Sequence, residues 1–504
     1  MDTLQLTNYR RFKDTGVIHL KPITFLVGAN SSGKSSFLKF FPLLKQSLGV
    51  NRNGTFLWYS KDVDFKDFLN TVHDGEGNIH ICFTFPLQNN HRARYRFRNI
   101  NERKDRLANI EIKDSVEICV KLEISAKQSK ANTNEDYLSQ LTIKYLDQVI
   151  NIKISECGKV NVVINDRNID TVFHTSTVNN SMFLIPRIIE DSNERLFSTG
   201  ISKARSTLME MLKSKKDRQT VSLVELEDYF YMLNKQASAK YLKNIDYRGD
   251  EVLLNDMYIL FHLYDIIDSI NDYLFDLSSS ITYVRPLRVT TERYYRYQNY
   301  AVDEIESDGK NLAMYFANLS DKQMIKFTDW TSKLFDFSIR VLKHEGHIEL
   351  QICEGIEQPR NLVDTGFGYT QLLPIVTMIW NAINQSSRRI IYTNRENTPK
   401  LIVIEQPELH LHPRLQAKFG AMLAKVITDG KGKDVKFIIE THSEAILNSV
   451  GIQIENHVLN NDNVNVVLFN AKAQGYDNYI EEAKYNERGF IEHWPTGFLS
   501  EDVY

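Results

Sequence analysis

The chain has 504 residues, which predicts roughly three domains at about 150 residues each. Hydrophobic residues make up 42% of the chain and charged residues 25%, and these globular proportions exclude a wholly disordered or fibrous protein. The 61 basic and 64 acidic residues leave a formal net charge of -3, which excludes a generally polybasic nucleic-acid binder but not a local basic patch.

Short strands are predicted at the start of the chain, and they end in the apolar run at residues 23–28. A helix is predicted from about Gly33, because the apolar residues that follow recur at three- and four-residue spacing. Pro42 lies inside that pattern and is expected to kink the helix. Between residues 79 and 164, apolar and polar residues alternate in several short segments, which predicts a meander of antiparallel strands.

Between residues 193 and 280 the apolar residues recur with the period of a helix, which predicts a helical insertion. Strand character returns at 281–287, and the apolar run 401–405 then opens a series in which strands and helices alternate. This alternation predicts a parallel sheet with helices on its faces. We therefore predict an α/β fold with three parts: an N-terminal lobe at 1–190, a helical insertion at 191–280 and a C-terminal lobe at 281–504.

The segment 28–36, with the sequence GANSSGKSS, fits the P-loop pattern GxxxxGK[ST] and lies between a predicted strand and a predicted helix. The backbone N–H groups of such a loop surround phosphate oxygens, and the following helix N-terminus favours negative charge. Lys34 is placed to reach the β- and γ-phosphates, and the Ser35 hydroxyl to coordinate Mg²⁺. The residues assigned to this nucleotide site are Gly28, Asn30, Ser31, Ser32, Gly33, Lys34, Ser35 and Ser36.

An acid follows the apolar strand 401–405, and in a P-loop protein an acid at this place holds Mg²⁺. Glu405 occupies the position, so Ser35 and Glu405 are the predicted metal ligands. Gln406 stands where the acid that polarises the attacking water is normally found, and a neutral amide orients water but cannot accept its proton. Glu408 is the nearest alternative base. His442 follows the next predicted strand and is placed to reach a γ-phosphate.

The order of these segments resembles the ABC-type ATPase head of the RecF/SMC and OLD group. Residues 6–38 are similar to the N-terminal lobe of that group, and DTGFGYTQLLPIV at 364–376 is similar to its signature segment. EQPELHLHP at 405–413 resembles the Walker B and D-loop of the OLD-like branch. The resemblance covers residues 1–90 and 281–504. It implies a two-lobed head, in which a mixed-sheet P-loop lobe carries an antiparallel meander and the Walker B lobe has a parallel sheet.

The resemblance also implies ATP and Mg²⁺ as cofactors and a head-to-head dimer or higher homo-oligomer. One protomer would supply the P-loop, Glu405 and His442. The group usually has Asp in place of Glu405 and Glu in place of Gln406, and these departures predict slow hydrolysis. The other protomer would present its signature segment to the γ-phosphate, although this segment is alternatively an ordinary helix cap. The signature residues are Gly366, Gly368, Thr370 and Gln371.

OLD proteins carry a Toprim nuclease after the second lobe, and this chain shows no such domain before Tyr504. The resemblance therefore implies the ATPase subunit of a bacterial anti-phage system similar to Septu or to retron-associated and OLD-like systems. Such a subunit would control a separately encoded nuclease or toxin effector. A RecF-like DNA-repair ATPase that clamps DNA is the alternative. A purely structural nucleotide-binding scaffold also stays open because of Gln406.

Arginines alternate with other residues in HRARYRFRNI at 91–100, which on a strand places four guanidinium groups on one face. They could contact nucleic-acid phosphates, or they could form a solvated face balanced by acids. A second basic cluster lies at 203–218. The cysteines form no CxxC pair and no apolar run approaches ~18 residues, so we expect a cytoplasmic protein without a membrane span. The four arginines are Arg92, Arg94, Arg96 and Arg98.

Overall fold

A computed structural model describes most of the chain as two compact units. The meander unit comprises Met1–Thr3, Ser47–Leu57 and Lys66–Phe275, and the P-loop unit comprises Leu4–Gln46, Trp58–Phe65 and Asp276–Tyr504. The described residues are 1–88, 115–127, 135–145, 148–169, 173–175, 182–190, 207, 212–214, 245–247, 256–257, 259–286, 288, 292–298, 302, 304–355, 358–384, 399–429, 434–470 and 479–492.

The helices and strands of these residues have the following bounds. The strands are β1 (Thr3–Tyr9), β2 (Phe12–Asp14), β3 (Ile18–His19), β4 (Ile23–Gly28), β5 (Ile79–Gln88), β6 (Ser115–Ala126), β7 (Asp136–Tyr145), β8 (Gln148–Ile154), β9 (Lys159–Ile164), β10 (Arg167–Asn168), β11 (Phe173–Thr175), β12 (Ile188–Glu190), β13 (Leu212–Ser214), β14 (Ile245–Tyr247), β15 (Thr282–Val284), β16 (Tyr295–Arg296), β17 (Phe337–His344), β18 (His347–Glu354), β19 (Arg360–Asn361), β20 (Lys400–Glu405), β21 (Val435–Glu440), β22 (Val464–Asn470) and β23 (Tyr479–Ala483). The α-helices are α1 (Lys34–Leu38), α2 (Phe40–Ser47), α3 (Leu263–Ser280), α4 (Leu312–Asn318), α5 (Asp321–Phe335), α6 (Phe367–Asn384), α7 (Pro413–Thr428) and α8 (Glu444–Glu455).

The meander unit contains the antiparallel sheet that the alternation at 79–164 predicts. Strands β5 to β9 pair each with the next, and β11 joins β9 to β12. Alternate residues of β6 are fully buried, because successive side chains of a strand point to opposite faces. The buried set in β6 is Ile118, Val120, Leu122 and Ile124. The predicted meander is therefore confirmed.

The P-loop unit is built on a six-stranded sheet with the order β15-β20-β21-β4-β22-β23. All neighbours are parallel except β22 and β23. Strand β4 is buried along its whole length, as expected for a parallel strand covered on both faces. Helices α7 and α8 contact each other closely, because a Cβ on Gly420 would lie 2.6 Å from the Ile446 carbonyl oxygen. The α/β fold class is thus confirmed.

The order of the parallel strands decides which side chains meet at one edge of the sheet. Strand β21 lies between β4, which leads into the P-loop, and β20, which ends at Glu405. Glu405 and Glu440 are register partners at the carboxyl ends of β20 and β21. In open parallel sheets, ligands bind outside these carboxyl ends. The edge that carries the P-loop therefore also carries two carboxylates from neighbouring strands.

The kink predicted at Pro42 is a break between two helices, next to Leu38, the residue four before the proline. Helix α1 ends at Leu38 and α2 begins at Phe40, so Pro42 lies in the first turn of α2. A proline is tolerated there because the N–H groups of a first turn have no partner inside the helix. The break therefore separates the short P-loop helix from the apolar helix that follows.

The predicted helical insertion is only partly helical. Helix α3 agrees with the helical period of the residues that form it. However, β13 and β14 pair antiparallel inside the segment 191–280, which we predicted to be a helical insertion. Apolar periodicity in short segments does not separate helix from strand, and the pairing partner is far away in sequence. Arg92, Arg94, Arg96 and Arg98 lie outside the described residues, as does most of the cluster at 203–218. The two boundaries between the three predicted parts stay a prediction.

Among the helices in the described part of the chain, none is both long and apolar enough to cross a membrane.

Candidate functional site

The loop between β4 and α1 has a backbone conformation that suits a phosphate-binding turn. Gly33 has φ +109° and Ser31 has φ +63°, both in the left-handed region. A Cβ on Gly33 would lie 2.7 Å from the ring of Phe12, so no larger residue fits there. The Ser32 hydroxyl is buried and has no hydrogen-bond partner in the described structure. The loop thus presents a buried hydroxyl next to the first turn of α1.

Lys34 is held inside the curve of this loop. Its side chain is 3% exposed, and its ammonium group donates to the carbonyl oxygens of Gly28 and Ala29 at 2.8 Å each. Burial lowers the pKa of Lys34, while the nearby carboxylates of Glu440 and Glu408 act in the opposite direction. Lys34 is therefore buried against the carbonyl groups of its own loop, with the carboxylates of Glu440 and Glu408 nearby.

Glu440 is the carboxylate in contact with the P-loop, and the sequence analysis did not assign it a role. The Ser35 hydroxyl donates to its two carboxylate oxygens at 2.7 and 3.0 Å. Glu440 is 3% exposed, and burial raises its pKa. A signal was present in the sequence, because VKFIIE at 435–440 ends in an acid as KLIVIE at 400–405 does. The contact follows from β21 being the direct neighbour of β4.

Glu405, the predicted metal ligand on β20, has a different partner. The Tyr283 hydroxyl, on β15, donates to its Oε1 at 2.6 Å. Glu405 is 4% exposed, and burial raises its pKa, although the bond from Tyr283 opposes that shift. Burial and the neighbouring carboxylate likewise raise the pKa of the Tyr283 hydroxyl, so it stays protonated and can donate. Glu405 thus lies at the predicted edge, and β21 separates its strand β20 from β4, the strand that leads into the loop of Ser35.

Glu408, the predicted alternative base, accepts two hydrogen bonds from the turn that follows β21. Its Oε2 accepts from the Thr441 hydroxyl at 2.8 Å, and its Oε1 accepts from the backbone N–H of His442 at 2.7 Å. Burial raises the pKa of Glu408, and these two bonds act in the opposite direction. Both oxygens are therefore engaged, and in this arrangement Glu408 positions His442.

Gln406 and His442 follow the ends of the neighbouring strands β20 and β21. The Gln406 backbone N–H donates to the Glu440 carbonyl oxygen at 2.8 Å, and its φ is +44°. A non-glycine residue in this region is uncommon and is found where the surroundings determine it. The Nε2 of His442 is buried without a hydrogen-bond partner among the described residues. Burial and the nearby Lys34 lower the pKa of His442, so its imidazole is neutral at pH 7.

The sequence matches the AAA ATPase domain family over residues 1–447. The chain belongs to this family. A comparison with curated proteins finds no match.

Three solved structures are similar to this ATPase domain over nearly their whole lengths. The Smc head domain of Pyrococcus furiosus, with an extended coiled coil and bound to the C-terminal domain of ScpA, is 11% identical, with 96% of each chain covered and a TM-score of 0.34. The SMC head domain of Thermotoga maritima is 11% identical, with 95% of this chain and 97% of that chain covered and a TM-score of 0.35. The Smc head domain of Pyrococcus yayanosii, with a coiled coil and joint, is 9% identical, with 97% of each chain covered and a TM-score of 0.33.

The predicted signature segment lies at the start of α6. Gly366 has φ +81° and is exposed, and Phe367 is 64% exposed. A Cβ on Gly368 would lie 3.6 Å from the carbonyl oxygen of His410, so the segment packs against the turn after β20. Thr370 and Gln371 are buried, and the Thr370 hydroxyl donates to the Phe367 carbonyl oxygen at 2.8 Å. The exposed residues of this segment are therefore Asp364, Gly366 and Phe367, while Thr370 and Gln371 could contact a partner's nucleotide only after a rearrangement.

The structure brings the predicted P-loop and strand-end residues to one edge of the P-loop unit. Lys34, Ser35 and Glu408 are linked to this edge by the hydrogen bonds described above. Arg288 also lies there, because its Nη2 donates to the Glu405 carbonyl oxygen at 3.3 Å. The sequence did not mark it, because a lone arginine after a short strand belongs to no motif. The remaining P-loop residues differ in exposure: Asn30 and Ser31 are exposed, Ser36 is half-buried, and Gly28, Ser32 and Gly33 are buried.

Proposed function

We propose that this chain is a Mg²⁺-dependent ATPase that hydrolyses ATP slowly and serves as the ATPase subunit of a bacterial anti-phage system. One observation carries the nucleotide part: Ser35 donates to the buried Glu440 beside Lys34, at a loop whose conformation requires glycine at position 33. The family membership agrees with it. The anti-phage part rests on the resemblance of EQPELHLHP at 405–413 to the OLD-like branch.

The donor set at the sheet edge fits a hard divalent cation. The Ser35 hydroxyl and the Glu440 and Glu405 carboxylates are oxygen ligands, which Mg²⁺ prefers. Mg²⁺ bound there would neutralise charge on the phosphate oxygens. Lys34 would exchange two loop carbonyls for phosphate oxygens, and the unpartnered Ser32 hydroxyl would donate to a phosphate.

Slow hydrolysis is proposed because no free general base lies at the usual position. The side chain of Gln406 is a neutral amide, which cannot take a proton from water. Both carboxylate oxygens of Glu408 already accept hydrogen bonds. Loss of a positioned general base typically costs ~10²–10⁴-fold in rate. An ATPase of this kind would remain for a long time in its ATP-bound state, which suits a subunit that holds an effector until a trigger arrives.

Two partners follow from the proposal. A second copy would use the exposed start of α6, where Gly366 and Phe367 lie at the surface. A separately encoded nuclease or toxin would be the effector. The RecF-like alternative depends on the arginines at 92–98, and no described contact favours it.

The nucleotide part is tested by calorimetry with ATP and Mg²⁺, followed by a turnover measurement. We expect Mg²⁺-dependent binding and a turnover below about 1 s⁻¹, the lower end of typical enzymes. Absence of binding, or binding that EDTA leaves unchanged, would contradict this part.

The anti-phage part is tested by expressing the chain together with its neighbouring genes in a bacterial host. We expect phage plating to fall, and to recover in Lys34→Ala. Equal plating with and without the genes over a broad phage panel would contradict the defence role. Salt-sensitive DNA binding by the purified protein alone would then favour the RecF-like alternative.

A further inference from the structure

Arg288 is a buried arginine whose guanidinium group is mostly without hydrogen-bond partners. The side chain is 7% exposed, and it lies between β15 and β16. Its Nη2 donates to the backbone carbonyl oxygen of Glu405 at 3.3 Å. Its Nε and Nη1 are buried and donate to nothing in the described structure. Leaving buried donors unpaired is costly, so the N–H groups of these two nitrogens need an explanation.

The two acids nearest to Arg288 do not satisfy it. Glu405 and Glu408 are the carboxylates that act on its charge. Glu405 accepts from Tyr283, while Glu408 accepts from the turn after β21, and no ion pair of Arg288 occurs in the described part of the chain. Burial lowers the pKa of Arg288 to about 10, so it remains charged at neutral pH. The guanidinium is thus a buried cation at the end of β20 with two free donors.

A second unpartnered polar atom lies at the same edge. His442 has a buried Nε2 without a partner, and its backbone N–H is fixed by Glu408, one of the acids beside Arg288. Lys34 reaches this edge from the loop after β4, whereas Arg288 reaches it from the segment after β15. Strands β20 and β21 lie between β15 and β4, so these residues surround the strand ends from two sides.

We propose that Arg288 binds the terminal phosphate of the nucleotide through Nε and Nη1. This inference rests on the proposed ATP function. The planar guanidinium presents donors in a fork that matches two phosphate oxygens, and charge-assisted bonds of this kind are strong in a site shielded from water. The P-loop would bind the phosphates nearest to β4, and the γ-phosphate would then be the group that Arg288 could reach from the side of β20. Arg288 therefore distinguishes ATP from ADP.

The same geometry has a second reading, in which Arg288 only offsets the charge of Glu405 and Glu408. The two readings differ in one measurable quantity. A charge-offsetting arginine affects ATP and ADP binding equally, whereas a γ-phosphate ligand affects only the nucleotide that has this phosphate.

The experiment compares the affinities of ADP and of a non-hydrolysable ATP analogue, both with Mg²⁺, by calorimetry. In Arg288→Gln we expect the affinity for the analogue to fall about 10–100-fold, the loss typical of one charged hydrogen-bonding group, and the affinity for ADP to change less than about threefold. Arg285→Gln is the matched control, because Arg285 lies three residues earlier and its guanidinium bonds to the Lys61 carbonyl oxygen and Asp62. The control is expected to bind both nucleotides as the wild type does.

Equal losses for ADP and the analogue, or an unchanged affinity for the analogue, would overturn the inference while the proposed ATPase function stands. A wild type that binds neither nucleotide would overturn both. If Arg288→Gln does not fold, Arg288→Lys replaces it in the experiment, because lysine keeps the positive charge but lacks the planar pair of donors. In that variant we expect a preference for the analogue over ADP that is reduced at least about threefold, and an unreduced preference would overturn the inference.

Discussion

Two neighbouring strands of the P-loop unit, β20 and β21, end in the same way but use their carboxylates differently. Both are six-residue apolar strands that finish in a buried glutamate, and Glu405 and Glu440 are register partners. Glu440 accepts from the P-loop residue Ser35, whereas Glu405 accepts from Tyr283 on β15, the neighbour of β20 on the side away from β21. The difference follows from position, because β21 adjoins β4 and β20 does not.

A sequence motif locates an acid at a sheet edge without selecting the partner of that acid. The acid chosen from the sequence as metal ligand, Glu405, is the one that a tyrosine holds. The acid without an assigned role, Glu440, touches the predicted Mg²⁺ ligand Ser35. We therefore infer that Glu440 contributes more than Glu405 to Mg²⁺-dependent nucleotide binding.

The largest effect is expected from Lys34→Ala, which removes the cation beside Glu440. We expect ATP binding to become undetectable, because no second lysine lies in the loop. Lys45→Ala is the control, since Lys45 pairs with Glu304 and lies outside the loop. Calorimetry checks this, and wild-type affinity in Lys34→Ala would remove the basis for the whole site.

Gln406→Glu, at the residue directly after β20, should raise the hydrolysis rate. A carboxylate there can accept the proton of an attacking water, and a positioned base is typically worth ~10²–10⁴-fold. Steady-state phosphate release measures the effect, with Glu408→Gln compared in parallel. If the wild type already turns over rapidly and Glu408→Gln abolishes that activity, Glu408 is the base despite its two hydrogen bonds.

Glu440→Gln and Glu405→Gln test the comparison directly. We expect Glu440→Gln to raise the Mg²⁺ concentration needed for half-maximal ATP binding about 10–100-fold, because it removes a charged ligand group beside Ser35. Glu405→Gln should raise it less than about fivefold. Titration of Mg²⁺ at fixed ATP gives both values, and the reverse ranking would return the leading role to Glu405.

Tyr283→Phe should have the smallest effect on nucleotide binding, together with a measurable loss of stability. The substitution removes the hydroxyl that donates to Glu405 and leaves a buried acid without that partner. A hydrogen bond to a charged group is worth about 1.5–3 kcal/mol, so urea unfolding should show a loss of that order. Should ATP affinity instead fall tenfold or more, Tyr283 would orient a carboxylate that binds the nucleotide complex.

Some features follow from local patterns alone. The P-loop, the parallel strands and the meander were all predicted, because hydrophobic period and glycine spacing report directly on backbone geometry. The roles of Glu408 and Arg288 were not predictable in this way. Each depends on hydrogen bonds to residues in other elements, namely the turn after β21 and the end of β20.

By itself the sequence determined the chemistry present at the sheet edge: a P-loop with Lys34 and Ser35, two strands tipped by acids, and a glutamine where a base is expected. Only the tertiary structure decided which groups meet. Ser35 and Glu440 are 405 residues apart, and their contact exists because β21 is inserted beside β4. Strand order is set by packing of the whole unit, whereas period and spacing are local, so a carboxylate can be read from sequence while its partner cannot.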